Sequence, residues 1–341
     1  MSKKKFVLGV IGLNFGLNHL KGAIDKGYEI GAICDVDPET LKKVGEEYGI
    51  PEEKRFTNYE DLLNNPEITS VVVAAPDPFH RPYTEAFLAA GKDVLCEKPL
   101  ALTHEDIKAI VDASKKTDAI CMVGQICRFT PAFVLAKQLV EEGKIGELYF
   151  VESEYAHDYM QIMSGNREWR RDPLRHGVIG GGCHAVDLLR WIAGDPQEIS
   201  AYGVHKLLPF VPYDDATIAI MKFPNDVIGK VFVSTGCKRG YTMRTCIYGT
   251  KGTIICDNKS DTLQLFTVDE NDVTIQPAQQ IPVEINNHNA AREIEVFADS
   301  ILNGAPLMMT AEEGSRSAAA CMAIIKAATT GEKVVPNYEF N

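Results

Sequence analysis

Lys98 holds the most telling position in this chain. It follows Val94-Leu95-Cys96-Glu97 and precedes Pro99, so a short apolar run, read as a buried strand, ends in a carboxylate and an amine. In open α/β sheets the carboxyl ends of strands face the ligand crevice. A lysine there can stabilise a developing alkoxide and share in proton transfer, because burial beside positive charge lowers its pKa. His184, within Gly180-Gly181-Gly182-Cys183-His184-Ala185-Val186-Asp187, is a base suited to neutral pH. Gly9-Val10-Ile11-Gly12-Leu13-Asn14-Phe15-Gly16 near the N-terminus reads as a strand entering a dinucleotide-binding turn. Glycines there let the backbone approach a pyrophosphate, and the next helix supplies amide donors. The pattern is imperfect: Asn14 replaces the second glycine and Gly16 comes one residue early, although Asn tolerates positive φ better than most residues. Asp35, at the end of the second predicted strand, would accept ribose hydroxyls and repel a 2′-phosphate. Val36 and Asp37 follow it with no Arg or Lys, so NAD is expected in preference to NADP. Oxidising a secondary alcohol needs a hydride acceptor, a base and a cation for the alkoxide. A dinucleotide would supply the first, and a lysine in the place of Lys98 the last.

The elements that must position these groups fall into two grammars. Residues 1–123 alternate strand and helix. The strand-like runs are Phe6–Ile11, Glu29–Cys34, Ser70–Ala75, Asp93–Cys96 and Ala119–Val123; helical periods include Tyr83–Ala90 and His104–Ser114. Thr103 with Asp106 resembles a capping box, and Gly27 and Gly91 stand where helices should stop. This pattern predicts an α/β Rossmann domain, a doubly wound parallel sheet. Residues 124–341 open with a helix from Pro131 and a strand from Leu148. An irregular polar stretch (157–175) leads to a helix over Cys183–Ala193. Six extended segments follow: Ile199–Val204, Ala216–Phe223, Val227–Thr235, Arg244–Tyr248, Gly252–Cys256 and Thr262–Val268. Pro224-Asn225-Asp226 and Gly249-Thr250-Lys251-Gly252 read as hairpin turns, and two helices, Asn289–Leu302 and Ala311–Thr330, close the chain. That order predicts an α+β domain with a large, mostly antiparallel open sheet, whose closing helices can pack back on the first domain. One sheet face needs a cover, helices on one side and a second subunit on the other, so a homodimer or homotetramer is expected.

A chain of 341 residues with 45% hydrophobic residues and net charge −12 reads as a two-domain globular protein. Its acidic balance argues against a nucleic-acid partner. No apolar run approaches the ~20 residues of a membrane span, and Lys3-Lys4-Lys5 precedes no secretory core. The nine cysteines form no CxxC pair and no zinc spacing, so no metal is expected. Most, including Cys34, Cys96, Cys121 and Cys321, lie in apolar stretches, which fits a reducing, cytoplasmic setting.

The N-terminal glycine turn, Asp35, Ala74-Ala75-Pro76-Asp77-Pro78-Phe79-His80, Glu97-Lys98-Pro99, Arg128 and the glycine cluster with His184 and Asp187 together resemble the Gfo/Idh/MocA family of NAD(P)-dependent oxidoreductases, which includes inositol and sugar dehydrogenases. The resemblance covers nearly the whole chain, and Glu97-Lys98-Pro99 is its specific element. It implies that Lys98 contacts the nicotinamide ribose and the reacting hydroxyl, that His184 is the acid/base, and that the Lys98-Pro99 peptide is often cis. Cofactor contacts are expected at Gly12, Asn14, Phe15, Gly16, Asp35, Val36, Ala75, Pro76, His80, Glu97 and Lys98. Substrate contacts are expected at Lys98, Arg128, Tyr155, Trp169, Arg170, His184 and Asp187, with His157 a further wall residue and His176 a weaker alternative. The family commonly carries an aspartate four residues before the histidine, where this chain has Gly180; Asp187, one helical turn beyond His184, is a candidate to replace it. The expected partner is a small sugar or polyol. Two other readings stay open: redox-neutral glycoside cleavage by transient oxidation and elimination with held NAD, and a non-enzymatic dinucleotide or sugar sensor.

Overall fold

The structure, a computed structural model, describes residues 5–163, 168–268 and 276–340; Lys3, Lys4 and residues 164–167 of the polar stretch lie outside these. The chain divides into two units, residues 1–125, 289–315 and 339–341 in the first, and 126–288 and 316–338 in the second.

Six strands form the sheet of the first unit: β1 (Val7–Ile11), β2 (Glu29–Cys34), β3 (Arg55–Phe56), β4 (Ser70–Val73), β5 (Asp93–Glu97) and β6 (Cys121–Gly124). Their order is β3-β2-β1-β4-β5-β6, and every pairing is parallel. Strands covered on both faces need no alternation, which is why all of Val7–Ile11 and Ser70–Val73 are buried. The order reverses between β1 and β4, the switch point beside which such sheets bind ligands. The turns after β1, β4 and β5 therefore leave at one sheet edge.

The helices of this unit start where local chemistry provides for them. After α1 (Gly16–Asp25), α2 (Pro38–Glu47) begins with Asp37 accepting the Glu39 N–H and Pro38 in its first turn. Asn58 caps α3 (Tyr59–Asn64) in the same way. Then α4 (His80–Ala89) starts at His80, three residues earlier than expected. Pro82 sits in its first turn, where a missing N–H costs nothing. Thr103 accepts the Asp106 N–H at the head of α5 (His104–Ser114).

The second unit is built on eight strands. They are β7 (Leu148–Ala156), β8 (Glu198–Val204), β9 (Ala216–Lys222), β10 (Ile228–Ser234), β11 (Thr242–Gly249), β12 (Gly252–Asp257), β13 (Thr262–Thr267) and β14 (Gln279–Pro282). Their order is β14-β13-β12-β11-β7-β10-β9-β8, antiparallel except for the β7–β10 pair. The β9–β10 hairpin turns through Asn225 and Asp226, with φ of 59° and 58°, as Pro224-Asn225-Asp226 predicts. Two helices, α6 (Pro131–Glu141) and α8 (Cys183–Ala193), cover one face of the sheet; the short α7 (Tyr159–Ile162) follows β7. The glycine cluster forms a single π-helical turn over Val178–Gly182 that runs into α8. Of the closing helices, α9 (Ala290–Asn303) lies in the first unit against α1. The last, α10 (Ala311–Thr330), begins there and gives residues from Arg316 onward to the second. All nine cysteines are free thiols, and among the described residues no helix is long and apolar enough to cross a membrane.

Candidate functional site

In the first unit the turn after β1 is shaped by close backbone approach. Gly12 has φ 83°, and a Cβ there would lie 2.4 Å from the Ala74 carbonyl oxygen. A side chain at 12 would therefore collide with the turn after β4. The head of α1 has no side-chain cap and no acidic residue in its first turn, so its amides and dipole suit an anionic group. Asp35 accepts the Leu13 N–H at 2.7 Å and the Asp37 N–H at 3.0 Å. It ties the glycine turn to β2, and its carboxylate has lone pairs left for ribose hydroxyls. Val36 is exposed beside it. These features fit a dinucleotide; the nicotinamide group would supply hydride acceptance when bound.

Lys98 emerges from the fully buried β5, half-buried, with Nζ 5.9 Å from the ring of Phe15. Its main chain is held on both sides. The Lys98 N–H donates to Glu97 Oε2 at 3.0 Å, and the ring of His80 lies between the carbonyl oxygens of Pro99 (2.7 Å) and Ala75 (2.9 Å), where a neutral imidazole donates to one of the two. Burial lowers the pKa of His80. The Lys98-Pro99 peptide is cis. Gly12, Phe15, Gly16, Asp35, Ala75, Pro76, His80 and Lys98 thus share the carboxyl edge of the sheet, with Asn14 and Val36 at its exposed rim. The Glu97 side chain is buried and turned toward the interior.

In the second unit His184 sits in the first turn of α8, buried in a cluster of rings. Its centroid is 6.3 Å from those of Tyr155 and His288. Tyr155 Oη lies 3.2 Å from His157 Nδ1 and 3.0 Å from Tyr159 Oη, and Tyr241 stands 4.8 Å from His157 and 5.7 Å from His288. Burial pushes the phenols of Tyr155 and Tyr241 well above their usual range, so both stay protonated hydrogen-bond donors. Gly181 admits this packing, since a Cβ there would lie 2.2 Å from Tyr159 Oη. The guanidinium carbons of Arg170 and Arg175 each lie over the Trp169 ring, 4.5 Å from its centroid.

Arg128 and Asp187 are committed to each other. Arg128 Nε donates to Oδ2 at 2.7 Å and Nη2 to Oδ1 at 2.9 Å, both residues are buried, and Ser317 donates to Oδ1. Asp187 thus anchors Arg128 rather than pairing with His184; breaking such a buried pair typically costs about 3–5 kcal/mol. At Gly180 a Cβ would lie 2.9 Å from Arg175 Nε, so this place is packed against a guanidinium whose pKa burial lowers to about 10.

The oxidoreductase-family model for an NAD-binding Rossmann fold (Gfo/Idh/MocA) matches residues 6–125, and the model for that family's C-terminal domain matches residues 133–255. The chain belongs to the Gfo/Idh/MocA oxidoreductase family. This family member is 27% identical over 320 residues to a myo-inositol 2-dehydrogenase of Thermotoga maritima, covering 90% of this chain and 91% of that one. It is also 27% identical over 272 residues to a levoglucosan dehydrogenase of Pseudarthrobacter phenanthrenivorans, covering 70% and 68%. Among solved structures, a levoglucosan dehydrogenase in complex with NADH shares the fold with a TM-score of 0.89 at 23% identity, covering 98% of this chain and 100% of that one. Membership makes residues 6–125 the NAD-binding Rossmann fold of an oxidoreductase-family protein.

The Gfo/Idh/MocA site also contains residues that sequence reading passed over. Tyr159 opens α7, beyond the end of β7, so the strand alternation that carries Tyr155 does not extend to it. Tyr241 and His288 arrive from distant segments and carry no local signal. Arg175 was hidden in the polar stretch, as one arginine among several.

Proposed function

We propose that this enzyme transfers hydride between a secondary hydroxyl of a sugar, inositol or related polyol and NAD, with Lys98 and His184 as its acid–base groups. The observation that carries this reading is Lys98, held through its main chain at the carboxyl end of β5 and close to Phe15 of the glycine turn. Asp35 accepts the ribose hydroxyls and disfavours a 2′-phosphate, which selects NAD over NADP. The Lys98 ammonium stabilises charge as it develops on the substrate oxygen, and His184 takes the hydroxyl proton. Tyr155 and Arg170 offer donors to the remaining hydroxyls. The names of the relatives, inositol and levoglucosan dehydrogenases, support a polyol substrate. Tyr149, Tyr202, Ile218, Ile220 and Ile228 are exposed on strands of the second unit's sheet, and this apolar surface supports a homo-oligomer.

A second reading, redox-neutral glycoside cleavage, is favoured by one observation: Gly180 faces Arg175 where the family commonly places a carboxylate. Absorbance at 340 nm separates the two. Wild type with NAD and a panel of inositols, aldoses and sugar acids should accumulate NADH on at least one member. Lys98→Ala should lower that rate by about 10²–10⁴-fold, the range of a positioned acid–base group. A protein that binds NAD, accumulates no NADH on the panel and cleaves a nitrophenyl glycoside would overturn the dehydrogenase reading.

A further inference from the structure

The first unit buries three ionisable side chains together behind the candidate lysine. His19 of α1 and Glu293 of α9 are fully buried, and Glu97 at the end of β5 is 4% exposed. His19 Nε2 lies 2.9 Å from Glu293 Oε2 and 3.2 Å from Glu97 Oε1. The other oxygen of Glu97 accepts the Lys98 N–H. Gly124 leaves room for this carboxylate, since a Cβ there would lie 3.1 Å from Glu97 Oε1. Buried charged groups are costly and are retained where they are paired and hydrogen-bonded. Here a single imidazole of α1 hydrogen-bonds Glu293 of α9 and stands at ion-pair distance from Glu97, at the strand end from which Lys98 emerges.

We propose that His19 and Glu293 are positioning residues for Lys98: Glu293 holds His19, His19 holds Glu97, and Glu97 fixes the Lys98 main chain. This rests on the reading of Lys98 as an acid–base group. The electrostatics agree with the geometry. Burial opposes charge on His19, but the hydrogen bond to Glu293 and the nearby Glu97 carboxylate outweigh it and raise its pKa. Burial, reinforced by the Glu293 charge, pushes Glu97 up to about 7. The same ligand atoms lie within 4.8 Å of one another and form a metal-capable set; the hydrogen-bond distance between His19 and Glu293 favours a proton between them.

Hydrogen exchange at the Lys98 amide reads the clamp directly, by mass spectrometry of the full-length protein with residue-level fragmentation. Glu293→Ala should speed exchange at Lys98 by about tenfold, the scale of a loosened hydrogen bond to a charged group, and lower kcat while leaving KM for NAD within about twofold. Glu293→Gln, whose amide oxygen still accepts from His19, should restore most of both. If Glu293→Ala does not fold, His19→Gln serves in its place. Unchanged Lys98 exchange in a variant that melts near wild type would overturn the proposal. So would stoichiometric zinc in the purified protein that the variants lose. Full turnover by Lys98→Ala would instead sink the acid–base reading, and the exchange measurement would still report on the clamp.

Discussion

Asp35 performs two tasks with one carboxylate. It holds the glycine turn through the Leu13 amide and its own loop through the Asp37 amide, and in the proposed function it presents negative charge to a ribose. Asp35→Ser should lower kcat/KM for NAD by about 10–100-fold, the worth of a charge-assisted hydrogen bond. It should raise the NADP-to-NAD preference by a similar factor. Steady-state kinetics with both cofactors tests this, and an unchanged ratio would remove Asp35 from cofactor selection. Asp35 was legible in the sequence because its task is local, set by its place after a strand. Arg128 and Asp187 were each visible as charged residues near the motif, but their pairing was not, since it depends on how α8 packs. His19 and Glu293 lie further out of reach: 274 residues separate them, and only the folded α1–α9 contact brings them together.

Elements were legible where a residue type dictates backbone geometry. Thr103, Gly27, Gly91 and the Asn225-Asp226 turn all do what their side chains, or lack of them, prescribe. The π turn at Val178–Gly182 has no sequence signature, because its bonding skips one residue further than an α-helix. The parallel β7–β10 pairing inside an otherwise antiparallel sheet is also a tertiary decision. Gly12 joins the two levels, as its motif announces it and its contact with Ala74 explains it. Gly12→Ala must place a Cβ against that carbonyl at a positive φ. The cost should be about 1–3 kcal/mol, with NADH binding lost. Thermal unfolding and NADH fluorescence check both halves, and tight NADH binding by the variant would contradict the assigned turn.

Taken as a whole, the molecule carries buried groups that pull its pH dependence in opposite directions. Glu97, pushed up to about 7, binds protons in the native state that the unfolded chain releases above its ordinary carboxylate range, so its contribution falls as pH rises toward 7. His176 does the reverse. It is buried in the second unit at φ 31°, its Nδ1 accepts the Val178 N–H at 3.2 Å, and Asp214 stands 3.9 Å from Nε2. Burial outweighs Asp214 and lowers its pKa to about 4. Unfolded, it titrates near about 6.5. Between these values the unfolded chain takes up a proton that the native state refuses, so stability is lost as pH falls through that window. The loss approaches about 3 kcal/mol by pH 4. The total curve mixes the two signs, and a difference curve isolates one of them. His176→Asn keeps a residue tolerant of positive φ and removes the titration. The only tryptophans, Trp169 and Trp191, both lie in the second unit, so their fluorescence follows its unfolding in urea. Wild-type stability minus variant stability should fall by about 3 kcal/mol from pH 7 to pH 4. A difference that stays flat would mean that His176 takes up its proton alike in the native and unfolded protein, with Asp214 offsetting burial.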